Sequence, residues 1–112
     1  LRAGLACALV AQGFHPALGI WHDSLDNPFN LADDLIEPWQ PSYMSHAIGS
    51  AAAGGERLTV AHRRELTPLL LAEMRLAGQV ATVACGLERM ADGLLQAIAR
   101  RWPGLLRLLE PL

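Results

Sequence analysis

The sequence predicts an all-α fold, a single helical bundle, and three observations carry that prediction. Apolar residues return at helical spacing through most of the 112-residue chain, as in Leu1, Leu5 and Leu9, or Leu87, Met90 and Leu94. No run of β-branched residues alternates over the length of a strand. Apolar side chains make up 52% of the chain and charged ones 18%, a balance that fills one core and excludes disorder. One α-helical domain over residues 1–112 is therefore expected. The chain opens at Leu1, inside an apolar helix with no capping residue before it, and reads as a fragment of a longer protein.

In chain order, the first helix is carried by Leu1, Leu5, Leu9 and Gln12 and ends at Gly13, a residue suited to a left-handed cap, before a His15-Pro16 turn. Asn30 is placed to N-cap a second helix with the apolar face Leu31, Leu35, Ile36 and Trp39, and Asp33 and Asp34 in its first turn suit the helix dipole. Pro38 and Pro41 lack backbone donors, so this helix kinks or ends there. The small-residue stretch GSAAAGG at 49–55 predicts a mobile loop. Leu66, Leu69, Leu70, Met74 and Ala77 define a third helix beginning near Thr59 or Thr67. Val80, Val83, Leu87, Met90, Leu94 and Ile98 define a fourth, ending before Trp102-Pro103-Gly104.

The formal charge of −2 conceals two unlike halves. Residues 1–56 hold one base, Arg2, against six acids, whereas residues 57–112 hold eight arginines against five acids. The longest uncharged run, Ala3 to His22, is broken by Gln12, Gly13, His15 and Pro16, so no membrane span is expected. Cys7 and Cys85 lie in apolar helical contexts without metal-ligand spacing, which predicts reduced, buried thiols.

The chemistry concentrates in GIWHDSLDNPFNLADDLIEPW, residues 19–39, where five carboxylates and one histidine occur without a lysine or arginine. Asp34 and Glu37 are three apart and share a helix face, and the turn-rich DSLDNPF can fold His22 back over that face. Imidazole with carboxylates and no thiolate suits Mn²⁺ or Mg²⁺ better than zinc. The same residues also fit a hydrogen-bonded structural histidine beside a solvated, dipole-matched acidic turn. His15, His46 and His62 have no ligand spacing to one another. Arg63-Arg64 and Arg100-Arg101 fit either DNA phosphate contacts or solvated helix surfaces.

The order of the segment adds to this. GFHPALGIWHDSLDNPFNLADDLIEPWQP, residues 13–41, resembles the catalytic-core signature of the CRISPR-associated spacer-acquisition integrases, in the form that accompanies type II loci. That family's signature is an apolar helix, glycine, proline, LG, an aliphatic residue and a ligand histidine, then a short loop and an LADDLxEPxRP helix. The resemblance implies that His22 and Glu37 are metal ligands and catalytic residues, with Asp34 the neighbouring acid of the metal site. Trp21 stands where type II relatives often carry the first of two histidines, and Gln40 where the family has arginine.

The resemblance further implies the C-terminal catalytic lobe of an integrase and endonuclease, with the family's N-terminal β-rich domain and third ligand, a glutamate on an earlier helix, lying outside this chain. A divalent cation, Mg²⁺ or Mn²⁺, would serve insertion of spacer DNA into a CRISPR array by attack of a DNA 3′-hydroxyl. The implied partners are protospacer ends and repeat DNA, a second copy in a homodimer, and a small companion adaptation subunit, all in a prokaryotic cytoplasm. The fragment alone is expected to be inactive. A different class fits the residues too: a non-catalytic helical interaction module with His22, Asp34 and Glu37 as a structural cluster.

Overall fold

The computed structural model describes residues 1–51 and 59–110, apart from the side chains at 42, 43, 46, 47, 50, 51, 62, 65, 66, 109 and 110. Five helices are present among them: α1 (Arg2–Ala11), α2 (Asn30–Ile36), α3 (Gln40–Ala51), α4 (Val60–Leu66) and α5 (Val83–Ala99). Strands β1 (Glu73–Leu76), β2 (Gln79–Thr82) and β3 (Leu109–Glu110) form an antiparallel sheet in the order β2-β1-β3.

The sheet overturns the all-α expectation; the fold is a small mixed domain of helices and sheet. Residues 73–82, assigned by periodicity to the end of one helix and the start of the next, form a β-hairpin in which Leu76 pairs with Gln79. Met74 and Leu76 are buried while Glu73 and Arg75 are exposed, so the period here is two. The two-residue loop places Ala77 at φ 50° and Gly78 at φ 79°, a left-handed pair that matches the twist of a hairpin and cannot continue a helix. Thr82 then caps α5, its hydroxyl accepting from the Cys85 N–H at 3.3 Å.

Elsewhere the agreement is partial: α3 was not expected, and where a third helix was expected from Leu66 to Ala77, α4 ends at Leu66 and a 3₁₀ turn, Thr67–Leu71, follows. Gly13 has φ 89° just past the end of α1, as its cap position requires. α2 stops at Ile36, and Pro38 sits in a 3₁₀ turn, Glu37–Trp39, that leads into α3. Asn30 is the first residue of α2 rather than its cap, which is Phe29. Of the loop expected at 49–55, residues 49–51 belong to α3 and 52–55 lie outside the described residues. Cys7 is exposed, against expectation, and Cys85 is partly buried.

The core joins all layers. Leu5 and Leu9 of α1, Leu31, Ala32 and Leu35 of α2, and Val83, Leu87, Met90 and Leu94 of α5 are buried together with Met74 and Leu76 of the hairpin. α5 is the central element, packed against both α1 and the sheet. α1 thus packs against the apolar side of α2, whose residues Leu31, Ala32 and Leu35 join the core.

Candidate functional site

Residues 13–29 form a loop that folds back onto the start of α2, and Asn30 holds it there. Asn30 is 3% exposed and its amide donates to the Ala17 carbonyl at 3.0 Å and the Ser24 carbonyl at 2.8 Å, joining both limbs of the loop. The Leu31 N–H adds a bond to the Pro16 carbonyl at 2.8 Å. Gly19 lies where the limbs cross. A Cβ at that position would collide with the His22 carbonyl oxygen and sit 2.9 Å from Asn30 Cβ and 3.0 Å from Asp34 Oδ2.

Asp34 organises the residues around His22. Its Oδ2 accepts from the Ile20 N–H at 2.5 Å and the Trp21 N–H at 3.0 Å, and its Oδ1 from the His22 N–H at 3.0 Å. The same Oδ1 lies 2.6 Å from Nδ1 of the His22 ring. Burial of the carboxylate works to raise its pKa, but the Trp21 and His22 backbone donors, the His22 ring and the Ile20 N–H outweigh it and hold Asp34 below the usual carboxylate range. Asp34 is therefore ionised near neutral pH. Nδ1 carries a proton toward it, which leaves Nε2 as the ring nitrogen with a free lone pair when His22 is neutral. The hydrogen bond to Asp34 raises the pKa of His22 against an opposing effect of desolvation, with the charges of Asp34, Glu37 and Asp33 adding to the rise.

His22, Asp33, Ile36, Glu37 and Gln40 line an open cleft of about 220 Å³. The structure thus brings His22 and Asp34 into direct contact and sets His22 and Glu37 on one cleft, whereas Asp34 turns inward to the loop. Gln40, at the family's arginine position, lines the cleft as well. Arg63 and Arg64 are exposed on α4 and are not among the residues that line it. His15 Nδ1 accepts from the Ala17 N–H at 3.3 Å, and the rings of His46 and His62 lie outside the described residues.

Sequence reasoning missed Asp33 as a cleft residue, although its spacing of four from Glu37 places both on one side of a helical turn. It also missed Arg2. The Arg2 guanidinium bonds Asp33 Oδ2 at 2.5 Å and Asn27 Oδ1 at 2.8 Å and lies 4.8 Å from the centre of the Phe29 ring. Asn27 completes the group by donating to Asp33 Oδ2 at 2.8 Å and accepting from the Phe29 N–H at 3.0 Å.

As a donor set, the cleft offers an imidazole nitrogen and the Glu37 carboxylate, a fit for one flank of a divalent cation that takes oxygen and nitrogen. Among the described residues there is no group of three histidine, cysteine or acidic side chains placed to hold a metal. Nor is any helix among them long and apolar enough to cross a membrane.

Fold and cleft together define a small mixed helix-and-sheet domain with a histidine–carboxylate cleft. Against curated proteins, 41 residues of the chain are 58% identical to the CRISPR-associated endonuclease Cas1 of Neisseria meningitidis serogroup C (strain 8013). The match covers 37% of this chain and 14% of that protein, so the relation is shown over a short segment. No protein-family model and no solved structure matches the chain.

Proposed function

We propose that the chain is a single-domain part of the catalytic lobe of a CRISPR spacer-acquisition integrase, acting on DNA with a divalent cation. The observation that carries this reading is the His22–Asp34 pair beside Glu37: an ionised carboxylate fixes the ring through Nδ1, which leaves Nε2 as the free nitrogen of a residue that lines the cleft. The partial identity to a CRISPR-associated endonuclease supports the same reading.

In this reading His22 Nε2 and Glu37 hold the cation, Mg²⁺ or Mn²⁺, and Asp34 orients His22. A third donor, a glutamate, comes from outside the described residues. The chemistry such a cation supplies in phosphoryl transfer is neutralisation of charge on the phosphate and activation of the attacking 3′-hydroxyl. The chain's own part is positional: Asp34 sets the tautomer and angle of the ring, and the Asn30-anchored loop keeps His22 over the cleft. Arg63 and Arg64, exposed and without an acidic partner among the described residues, contact DNA phosphates. Protospacer ends, repeat DNA, a second copy and a companion subunit are the partners, in a prokaryotic cytoplasm.

The completeness of the Asp34 hydrogen bonds inside the loop favours a second reading, a non-catalytic interaction module whose histidine–acid pair is structural. The two differ at Glu37. Mn²⁺ added to the chain is expected to bind and raise the melting temperature, as any native-state ligand does, and Glu37→Gln is expected to remove both effects. A response unchanged by that substitution sets the integrase reading aside. In a longer protein that carries the third donor, His22→Ala is expected to abolish joining of DNA 3′ ends to repeat DNA while salt-sensitive DNA binding persists.

A further inference from the structure

The acid that shares the cleft with Glu37 is already engaged by a cation of the chain itself, and the observations around Arg2 go beyond a surface ion pair. Arg2 is the one basic residue in positions 1–56. It reaches 31 residues along the sequence to Asp33, and both partners are fixed from other directions. The guanidinium lies over the Phe29 ring and bonds Asn27 Oδ1, and Asn27 in turn donates to the same Asp33 oxygen that Arg2 holds. An exposed pair without such constraints trades its Coulomb gain for side-chain entropy; here the stacking and the shared amide leave little freedom to lose.

We propose that Arg2 is a positioning residue for the cleft: with Asn27 it holds the Asp33 carboxylate aside, so that a bound divalent cation is taken by His22 and Glu37 without Asp33. The inference rests on the cation reading of the cleft. Asp33 and Glu37 both line the cleft, so an unrestrained Asp33 is a competing oxygen donor to a hard cation. Sharing the ion with Asp33 would draw it toward the start of α2 and fill a coordination position that a phosphate oxygen needs. Two donors to Asp33 Oδ2, one of them charged, oppose that swing. The functional gain is a weaker but correctly placed and more open cation site.

The sign of the expected effect separates this from a purely structural role, because loss of a structural contact weakens metal binding whereas release of Asp33 strengthens it. In Mn²⁺ titrations of the 112-residue chain followed by electron paramagnetic resonance, Arg2→Gln is expected to bind Mn²⁺ about tenfold more tightly than the parent. Combined with Asp33→Asn, the same Arg2→Gln change is expected to gain no more than about threefold over Asp33→Asn alone, the part due to long-range charge. Arg2→Lys, which keeps the charge beside Asp33, is expected to stay within about threefold of the parent.

Equal or weaker Mn²⁺ binding by a folded Arg2→Gln chain overturns the proposal, and so does an equal gain in both Asp33 backgrounds. A second measurement needs no variant. Mg²⁺ titration of the parent chain is expected to shift the ¹³C carboxyl resonance of Glu37 and leave that of Asp33 in place. A matching shift at Asp33 overturns the proposal even where Arg2→Gln fails to fold. If Glu37→Gln leaves Mn²⁺ affinity unchanged, the cation reading itself fails and this inference with it. Intact Glu37 dependence with an insensitive Arg2 rejects the positioning role alone.

Discussion

At the scale of single residues, Asp34 holds the His22 ring in place. Its carboxylate takes three backbone N–H groups and the ring of His22, so Asp34→Asn would set an amide donor against other donors and is expected to cost about 1–3 kcal/mol. The folded-state pKa of Asp34 is depressed, so its contribution is fully present above the unfolded value, about 4, and is lost as pH falls through the folded value. The parent should therefore lose stability below about pH 4, and urea midpoints across pH 2–7 should show that component missing in Asp34→Asn. Gly19→Ala is a second check at this scale. Its Cβ has no room beside the His22 carbonyl, and the loop must shift, with about 1–3 kcal/mol lost in thermal unfolding and the His22 ring signals displaced. The return of His22 onto the face of Asp34 and Glu37 was legible because the turn-rich connector and the spacing of the two acids are local. Arg2 and Asn27 were not, since their meeting with Asp33 is a product of α1 packing on α2, which no local pattern encodes.

At the scale of elements, α1, α2 and α5 were legible, whereas α3, the 3₁₀ turn at Thr67–Leu71 and the hairpin were not. α1 and α5 present apolar stripes long enough to fix the period, and Gly13 marks a helix end by its backbone preference. In β1 and β2, four residues each, Met74 continues the spacing of Leu66 and Leu70 as well as it alternates with Leu76, so the two periods are indistinguishable over so short a run. The turn gives no warning either. A loop with two positive φ values usually announces itself as Asn-Gly or Asp-Gly, and here Ala77 occupies the first position at φ 50°. Asparagine tolerates that conformation better than alanine, so Ala77→Asn is expected to stabilise the chain by about 0.5–1 kcal/mol. Chemical denaturation reads this directly. A loss of stability instead would mean that the pairing of Leu76 with Gln79 is not held by a left-handed turn.

At the scale of the whole molecule, the question is whether the cleft and the sheet form one cooperative unit. α5 is the element that joins them: it packs against α1, which in turn packs on α2, and against all three strands, and β3 also touches the 3₁₀ turn that carries Glu37. No seam of polar residues divides them, for Asn30 is the one buried polar residue among those described and it serves the loop. A continuous apolar core transmits a defect on one side to the other. Leu9 is fully buried, so Leu9→Ala removes its packing and leaves a cavity, a loss of about 3–4 kcal/mol out of the roughly 5–15 available to a domain. The melting temperature should fall by about 12 °C or more for a chain of this length. If the unit is one, amide exchange in β1 and β2 should accelerate by the same factor as in α2, although Leu9 belongs to neither. Faster exchange confined to α1 and α2 would divide the molecule into a cleft-bearing part and a sheet-bearing part. In that case Arg2, carried by α1, would lose its hold on Asp33 by local opening, without unfolding of the rest.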